Sequence, residues 1–65
     1  MKKIEVYFTN KGEVAEVFEA ATVAEAWADA QDCMADYWAE DIAEKFDGDF
    51  EAWKEAVGLD YIVID

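Results

Sequence analysis

The first residues of the chain alternate between apolar and polar side chains. Between Lys2 and Thr9, Ile4, Val6 and Phe8 fall on one side, and the residues that separate them fall on the other. A period of two is the pattern of a β-strand with one buried face. The sequence therefore predicts a first strand over Lys2–Thr9.

A turn signal and a second apolar segment follow this strand. Asn10-Lys11-Gly12 predicts a hairpin turn, because Gly12 accepts a positive φ, and Val14–Ala20 predicts a second, antiparallel strand. The length of the turn decides which side chains face the core, since a slip of one residue moves every side chain to the opposite face. The open alternatives opposite the core face of the first strand are Ala15 and Val17 for a two-residue turn, or Val14 and Phe18 for a three-residue bulged turn.

A long helix is predicted next. Thr22 and Glu25 have the spacing of a capping box, in which the Thr hydroxyl accepts from the Glu25 amide and the Glu side chain reaches back. No Gly or Pro interrupts the following segment, so a helix is expected over Val23–Glu40, with a bent continuation to Phe46. In one straight helix Asp41 would lie on the apolar side, which predicts a break or rotation near Glu40-Asp41.

The end of the chain predicts a short helix and a third strand. In the turn Asp47-Gly48-Asp49, Asp49 caps a helix over Phe50–Val57, and Gly58 ends that helix. Tyr61–Asp65 is apolar and β-branched, which favours a strand. The order β-β-α-α-β predicts a single α+β domain over residues 1–65. We expect a three-stranded antiparallel sheet of order 2-1-3, covered on one face by the long helix and the short helix.

Helical periodicity divides the long helix into a buried and an exposed side. At about 100° per residue, Met34 and Trp38 lie within about 20° of Trp27, with Val23, Gln31 and Ala24 nearby. We expect this stripe to pack on the sheet, with flanking Ala residues that allow a close approach.

The opposite side of the same helix carries carboxylates. Like charges at neighbouring helical positions cost roughly 0.2–0.5 kcal/mol a pair, so helix stability does not explain their placement. On a straight helix they span an arc of roughly 80° and about 22 Å of axial rise, with no Lys among them. The candidate partner-binding residues are this acidic row, Glu25, Asp29, Asp32, Asp36 and Glu40, with Asp47 and Asp49 as its extension at the helix end.

The overall charge balance has the same sign as this row. The 65 residues include 17 acidic residues and five Lys, for a net charge of −12, and no Arg or His. A high net charge is typical of disorder when aromatic residues are few. Here three Trp, three Tyr and four Phe at periodic positions favour a folded domain. The negative charge opposes direct binding to nucleic acid or to anionic lipid.

Several kinds of chemistry are not expected. A convex acidic helix offers no cleft for general acid–base catalysis, and without His or Arg there is no nucleophile–base pair, so we predict no enzymatic activity. A lone Cys33 and the spacing around Gly48 match neither a zinc site nor a calcium loop, so no metal or cofactor is expected. The absence of an apolar leader or membrane-length segment, with one unpaired thiol, predicts a cytoplasmic protein.

Five features together resemble the small acidic inhibitors encoded by phages: the short chain, the Lys-Lys-Ile-Glu-Val start, the Asn-Lys-Gly hairpin, the carboxylate-striped helix and the net charge of −12. This group includes anti-CRISPR proteins and other DNA mimics. The chain most resembles an anti-CRISPR protein directed at a type I surveillance complex, such as that of type I-C. The resemblance implies that the protein works in the host cytoplasm, where it occupies a Lys/Arg-rich DNA- or PAM-binding surface of a Cas protein and blocks recruitment of target DNA.

The residues alone leave other interpretations open. Successive carboxylates on a helix face lie ~5–6 Å apart, close to the spacing of phosphates, so the acidic row fits a Lys/Arg track that neutralises phosphates. A merely solvated helix face has the same pattern. The alternatives to mimicry are a non-enzymatic interaction module, such as a homodimer or adaptor that uses apolar residues of the sheet, and a domain adapted to a high-salt cytoplasm.

Overall fold

The computed structural model describes the backbone of residues 1–10 and 13–65 and the side chains of residues 1–10 and 16–65. The order β-β-α-α-α-β confirms the α+β class, although the predicted long helix is divided into two. The predicted turn at Asn10-Lys11-Gly12 includes residues outside the described ranges. The elements are β1 Lys2–Phe8, β2 Glu13–Ala20, α1 Val23–Tyr37, α2 Ala39–Phe46, α3 Phe50–Val57 and β3 Leu59–Val63.

The strands form an antiparallel sheet with the predicted order β2-β1-β3. Toward the open end of the hairpin, Phe18 of β2 lies opposite Ile4, so Phe18 is on the core side and Val17 on the other. Toward the turn, Val14 lies opposite Tyr7, whereas Glu16 lies opposite Val6. The register therefore shifts between Val6 and Tyr7. An extra residue in β2 makes this a β-bulge. Phe18 therefore follows the three-residue alternative, but neither predicted register holds along the whole hairpin.

The third strand is shifted by two residues from its predicted range of Tyr61–Asp65. The C-cap of α3 is Gly58 in the left-handed region, with φ of 68°. This turn leads the chain directly into the sheet, so that Leu59 pairs with Phe8 and is buried. β3 therefore begins at the first residue after the helix cap.

Hydrogen bonds join the end of α3 to the end of β1. The backbone amide of Thr9 donates to the Gly58 carbonyl at 2.8 Å, and the Thr9 hydroxyl donates to the same oxygen at 2.9 Å. The backbone amide of Asn10 donates to the Val57 carbonyl at 3.2 Å, and the Asn10 side-chain Nδ2 donates to the Ala56 carbonyl at 2.6 Å. A Cβ on Gly58 would clash with the Thr9 hydroxyl oxygen, and its φ of 68° disfavours other residues, so this junction requires glycine.

The core lies between the sheet and the helices. α1 is buried at Ala26, Ala30 and Met34, whereas the predicted stripe was centred on Trp27. The difference is a rotation of about 60° at 100° per residue. Small side chains at the contact let α1 approach the sheet, and Trp27 lies over β3, 4.6 Å from the ring of Tyr61. The buried cluster comprises Ile4, Val6, Phe8, Ala20, Ala26, Ala30, Met34, Ile42, Trp53 and Leu59.

The helix break occurs at Trp38, before the predicted position at Glu40-Asp41. Trp38 has φ of −100° and ψ of 18°, outside the helical range. Its ring packs edge-on to Phe8 at 6.1 Å and lies 6.2 Å from Trp53. The bend also allows α2 to bury Ile42. Packing of the junction residue Trp38 against rings of β1 and α3 thus accompanies the break.

Candidate functional site

The exposed side of α1 carries four of the five predicted row residues. Glu25, Asp29, Asp32 and Asp36 are all exposed on one uninterrupted helix. At ~1.5 Å per residue they extend over about 16 Å. The helix begins where predicted, because the Thr22 hydroxyl accepts a hydrogen bond from the Glu25 amide at 3.1 Å. The cap therefore determines where the row starts.

Glu40 belongs to a different helix from the rest of the row. Because α1 ends at Tyr37, Glu40 lies with Asp41 in the first turn of α2, where the helix dipole favours a carboxylate. Glu40 is exposed. The predicted straight row of five is thus corrected to four carboxylates on α1 and one beyond the bend.

Asp47 and Asp49 lie in the turn between α2 and α3. Asp47 ends α2 in the left-handed region with φ of 55°. Asp49 is the predicted N-cap of α3, and its carboxylate accepts from the Ala52 amide at 3.2 Å. Both residues are exposed, but they do not continue the helix that carries the row. Asp49 has a structural role that the α1 carboxylates lack.

Three of the four lysines in the described part of the chain form ion pairs with carboxylates outside the row. Lys45 pairs with Asp41 at 3.8 Å, and Lys3 pairs with Glu19 at 3.7 Å. Lys54 pairs with Glu51 at 2.8 Å and donates to the Gln31 side chain at 2.8 Å, which joins α3 to α1. The four row residues of α1 take part in none of these ion pairs.

Charge is distributed unevenly between the helices and the strands. Residues 23–57 contain 11 of the 17 acidic residues and two of the five Lys, a net charge of −9. The remaining 30 residues have a net charge of −3. Within α1, repulsion between row neighbours at i,i+3 and i,i+4 opposes the helix. The fold therefore presents fixed carboxylates at a cost to its own stability.

The structure adds an aromatic residue that the sequence interpretation did not select. Tyr37 is 78% exposed at the end of α1, and its ring lies edge-on to Trp38 at 5.3 Å. It lines an open depression of about 530 Å³ with residues 36 to 41, which include Asp36 and Glu40. On a helical wheel Tyr37 lies beside the apolar stripe, so the sequence pattern does not distinguish it from a packed residue. The end of α1 before Trp38 leaves it exposed.

A second exposed surface is the side of the sheet that faces away from the helices, here called the outer face. Val17 is 48% exposed, Ile62 48% and Ile64 46%. The helices cover the opposite side, where Ile4 and Val6 are fully buried. Pairing and alternation place on the outer face Lys3, Glu5, Tyr7, Val17, Glu19, Asp60, Ile62 and Ile64.

The described residues contain neither a metal-binding cluster nor a membrane-spanning helix. Over 1–10 and 13–65, no group of three or more His, Cys, Asp or Glu residues is placed to hold a metal ion. In the same ranges, no helix has both the length and the apolar character needed to cross a membrane. Comparison with models of protein families, with curated proteins and with solved structures gives no match.

Proposed function

We propose that this protein is an acidic DNA mimic that inhibits a host defence complex, namely a type I CRISPR-Cas surveillance complex. It binds the Lys/Arg-rich nucleic-acid-binding surface of that complex and prevents recruitment of target DNA. The observation that carries the proposal is the row of four exposed carboxylates on α1, Glu25, Asp29, Asp32 and Asp36, outside the ion pairs of the described residues. The type of complex follows from the resemblance to phage-encoded inhibitors.

The mechanism requires that the row replace phosphates. Successive carboxylates on a helix are ~5–6 Å apart, which allows each one to meet a separate basic side chain. Because the helix holds them in place, no chain segment has to be ordered when they bind. The net charge of −12 also attracts a basic surface from a distance and raises the association rate. DNA and the inhibitor then compete for the same Lys/Arg groups.

Tyr37 adds an aromatic contact to the electrostatic contact of the row. A planar guanidinium stacks on an aromatic ring while its N–H groups bind carboxylates. The depression at the α1–α2 junction brings Tyr37, Asp36 and Glu40 to one place. We assign Tyr37 the role of an aromatic anchor for an Arg of the partner.

The test uses a purified type I-C surveillance complex and labelled double-stranded target DNA. The triple variant Asp29→Lys/Asp32→Lys/Asp36→Lys changes the net charge by six, from −12 to −6. We expect the wild-type protein to block DNA binding, and the variant to bind the complex at least ~100-fold more weakly. Helical content and thermal unfolding of the variant confirm that it folds.

A matched control separates the row from the overall charge. Glu16→Lys/Glu55→Lys/Asp65→Lys also gives −6, but these exposed residues lie away from the row. The control should weaken binding by less than ~10-fold, through the loss of long-range attraction alone. Equal binding by the triple variant and the wild-type protein would contradict the proposal.

The second candidate is a non-enzymatic interaction module that uses no mimicry. The observation that favours it is the set of half-exposed aliphatic residues on the outer face, Val17, Ile62 and Ile64. A partner held through that face would bind the row variant normally, and its affinity would change little with salt. The same measurements therefore discriminate between the two candidates.

A further inference from the structure

We propose that the open edge of β3 binds an extended, basic segment of a partner protein as an added strand of the sheet. Among the described strands, whose order is β2-β1-β3, β3 is an outer strand that pairs with β1. Its second half, residues 61–64, is here called the β3 edge. The proposal does not depend on the inhibitory function, which concerns α1.

Two residues of the β3 edge direct their backbone groups away from β1. The amide of Ile64 donates to the Lys3 carbonyl at 3.0 Å. In an antiparallel pair, residues that exchange hydrogen bonds with the neighbouring strand alternate with residues whose amide and carbonyl point the other way. Tyr61 and Val63 are of the second kind. Their backbone groups therefore face the side where a further strand would lie.

Apolar side chains are exposed on both sides of the β3 edge. Ile62 is 48% and Ile64 46% exposed on the outer face, and Val63 is 53% exposed on the side that carries the helices. α1 packs mainly against β1 and β2, and it reaches β3 through Trp27, which lies over the ring of Tyr61. An added strand would therefore bury apolar surface on both of its sides while it forms backbone hydrogen bonds.

The two outer strands of the sheet differ in how they are protected. β2 contains Glu13, Glu16 and Glu19 and has a bulge in its pairing with β1, and both features hinder the addition of a strand. The β3 edge has no charged residue, and its register on β1 is regular. Apolar edges without such protection pair with extended chains. Strand addition is therefore expected at β3 and not at β2.

Charge determines which kind of extended segment fits. The β3 edge lies between Asp60 and Asp65, which are both exposed, in a chain of net charge −12. The Asp60 carboxylate accepts from the Tyr61 amide at 2.8 Å, which holds it beside the strand. A segment with an apolar centre and Lys or Arg at its ends meets both carboxylates, whereas a second copy would bring two acidic chains together. The expected occupant is therefore a basic segment.

The probe is a peptide of sequence Lys-Lys-Val-Thr-Val-Thr-Val-Lys-Lys with blocked ends, because Val and Thr favour extended structure. Titration calorimetry measures its affinity for the wild-type protein, and hydrogen exchange followed by NMR locates the contact. We expect a dissociation constant below about 1 mM. Exchange of the Val63 amide should slow at least ~10-fold when the protein is saturated with peptide, and exchange of the Val17 amide in β2 should not change.

Proline variants test the backbone contact. Val63→Pro removes an amide that points away from β1, so the pairing of β1 with β3 is kept, and binding of the peptide should weaken at least ~10-fold. Val17→Pro is the matched control. Because Phe18 lies opposite Ile4, whose backbone groups face β2, the Val17 amide points to the outer side of β2. This variant should bind the peptide within about three-fold of the wild-type protein.

A second peptide tests strand addition without any change to the protein. It has the same side chains and charge, but the amides of its Val and Thr residues are N-methylated, so its apolar centre cannot donate backbone hydrogen bonds. Its binding should be at least ~10-fold weaker. This comparison is decisive whether or not the proline variants fold, which thermal unfolding determines.

Four results would overturn the proposal. The first is a wild-type protein that does not bind the probe, and the second is equal binding of the two peptides, which would leave only attraction between opposite charges. The third is equal binding by folded Val63→Pro and Val17→Pro. The fourth is protection of the Val63 amide that rises with protein concentration without peptide, which would assign the β3 edge to a second copy.

These measurements are independent of the proposed inhibition, since none of them contains the surveillance complex. Their failure would leave the inhibitory function standing. Failure of the row variant to lose inhibition would leave strand addition at β3 standing.

Discussion

The acidic row of α1 and the outer face of the sheet are both exposed, but they differ in charge and in what supports them. The row stands on a helix with repulsive neighbours, in a segment of net charge −9. The outer face combines aliphatic residues with Lys3 and Glu5, in strands that pair with each other. The first surface favours basic partners, and the second favours contact through aliphatic side chains.

This difference shows how a small domain separates two demands. Burying apolar surface requires low charge, whereas displaying many carboxylates requires solvent around them. The side of the sheet that the helices cover satisfies the first demand, and the helices satisfy the second on the side away from the core. Salt should therefore change contacts of the row much more than contacts of the outer face.

The largest expected effect is a loss of stability of the fold that supports both surfaces. Trp53 is 2% exposed and contacts the rings of Phe8 and Trp38. Trp53→Ala should lower the free energy of unfolding by about 3–5 kcal/mol, out of roughly 3–10 kcal/mol for a chain of this size. Urea denaturation measures the loss. Trp27→Ala, at the half-buried edge over Tyr61, should cost less than half as much, and equal losses would show that the ring cluster is not the centre of stability.

Salt should distinguish contacts of the row from contacts of the outer face. Raising NaCl from about 0.05 M to 0.5 M should weaken the complex with the surveillance complex by about 100-fold, because it screens contacts of the row. A partner held through the outer face would lose little affinity over the same change. Titration calorimetry measures the dissociation constant. A partner complex indifferent to salt would exclude the row as its main contact.

Tyr37 should contribute affinity without contributing charge. Since its side chain is 78% exposed, Tyr37→Ala should leave unfolding unchanged within about 0.5 kcal/mol. Binding to the surveillance complex should weaken about 10-fold, and the slope of affinity against salt should stay the same. Tyr37→Phe, which keeps the ring, is the control and should bind like the wild-type protein. A changed salt slope would assign Tyr37 to the electrostatic contact instead.

The smallest expected effect is a gain in stability on the row. Asp32→Ala removes like-charge contacts with Asp29 and Asp36 and introduces a better helix former, so the free energy of unfolding should rise by about 1 kcal/mol. Thermal unfolding should shift upward by roughly 4–8 °C. Asp60→Ala on the outer face is the comparison, since Asp60 accepts from the Tyr61 amide at 2.8 Å. It should give no gain, and destabilisation by Asp32→Ala would show that the row supports the helix.

Much of the candidate site could be predicted because α1 is a local element. A cap at Thr22 and helical periodicity were enough to place Glu25, Asp29, Asp32 and Asp36 on one exposed side. The position of Glu40 was harder to predict, because it depends on where the helix bends. Tyr37 could not be identified for the same reason.

The sequence by itself determined the sequence of strands and helical segments and the caps at Thr22, Asp49 and Gly58, because these signals act within a few residues. Only the tertiary structure decided the break at Trp38 and the rotation of α1. Both depend on packing between residues distant in the chain, namely the rings of Phe8, Trp38 and Trp53 and the small side chains that face the sheet. The volumes and shapes of the side chains decide such contacts, and the apolar periodicity of the sequence contains no information about either.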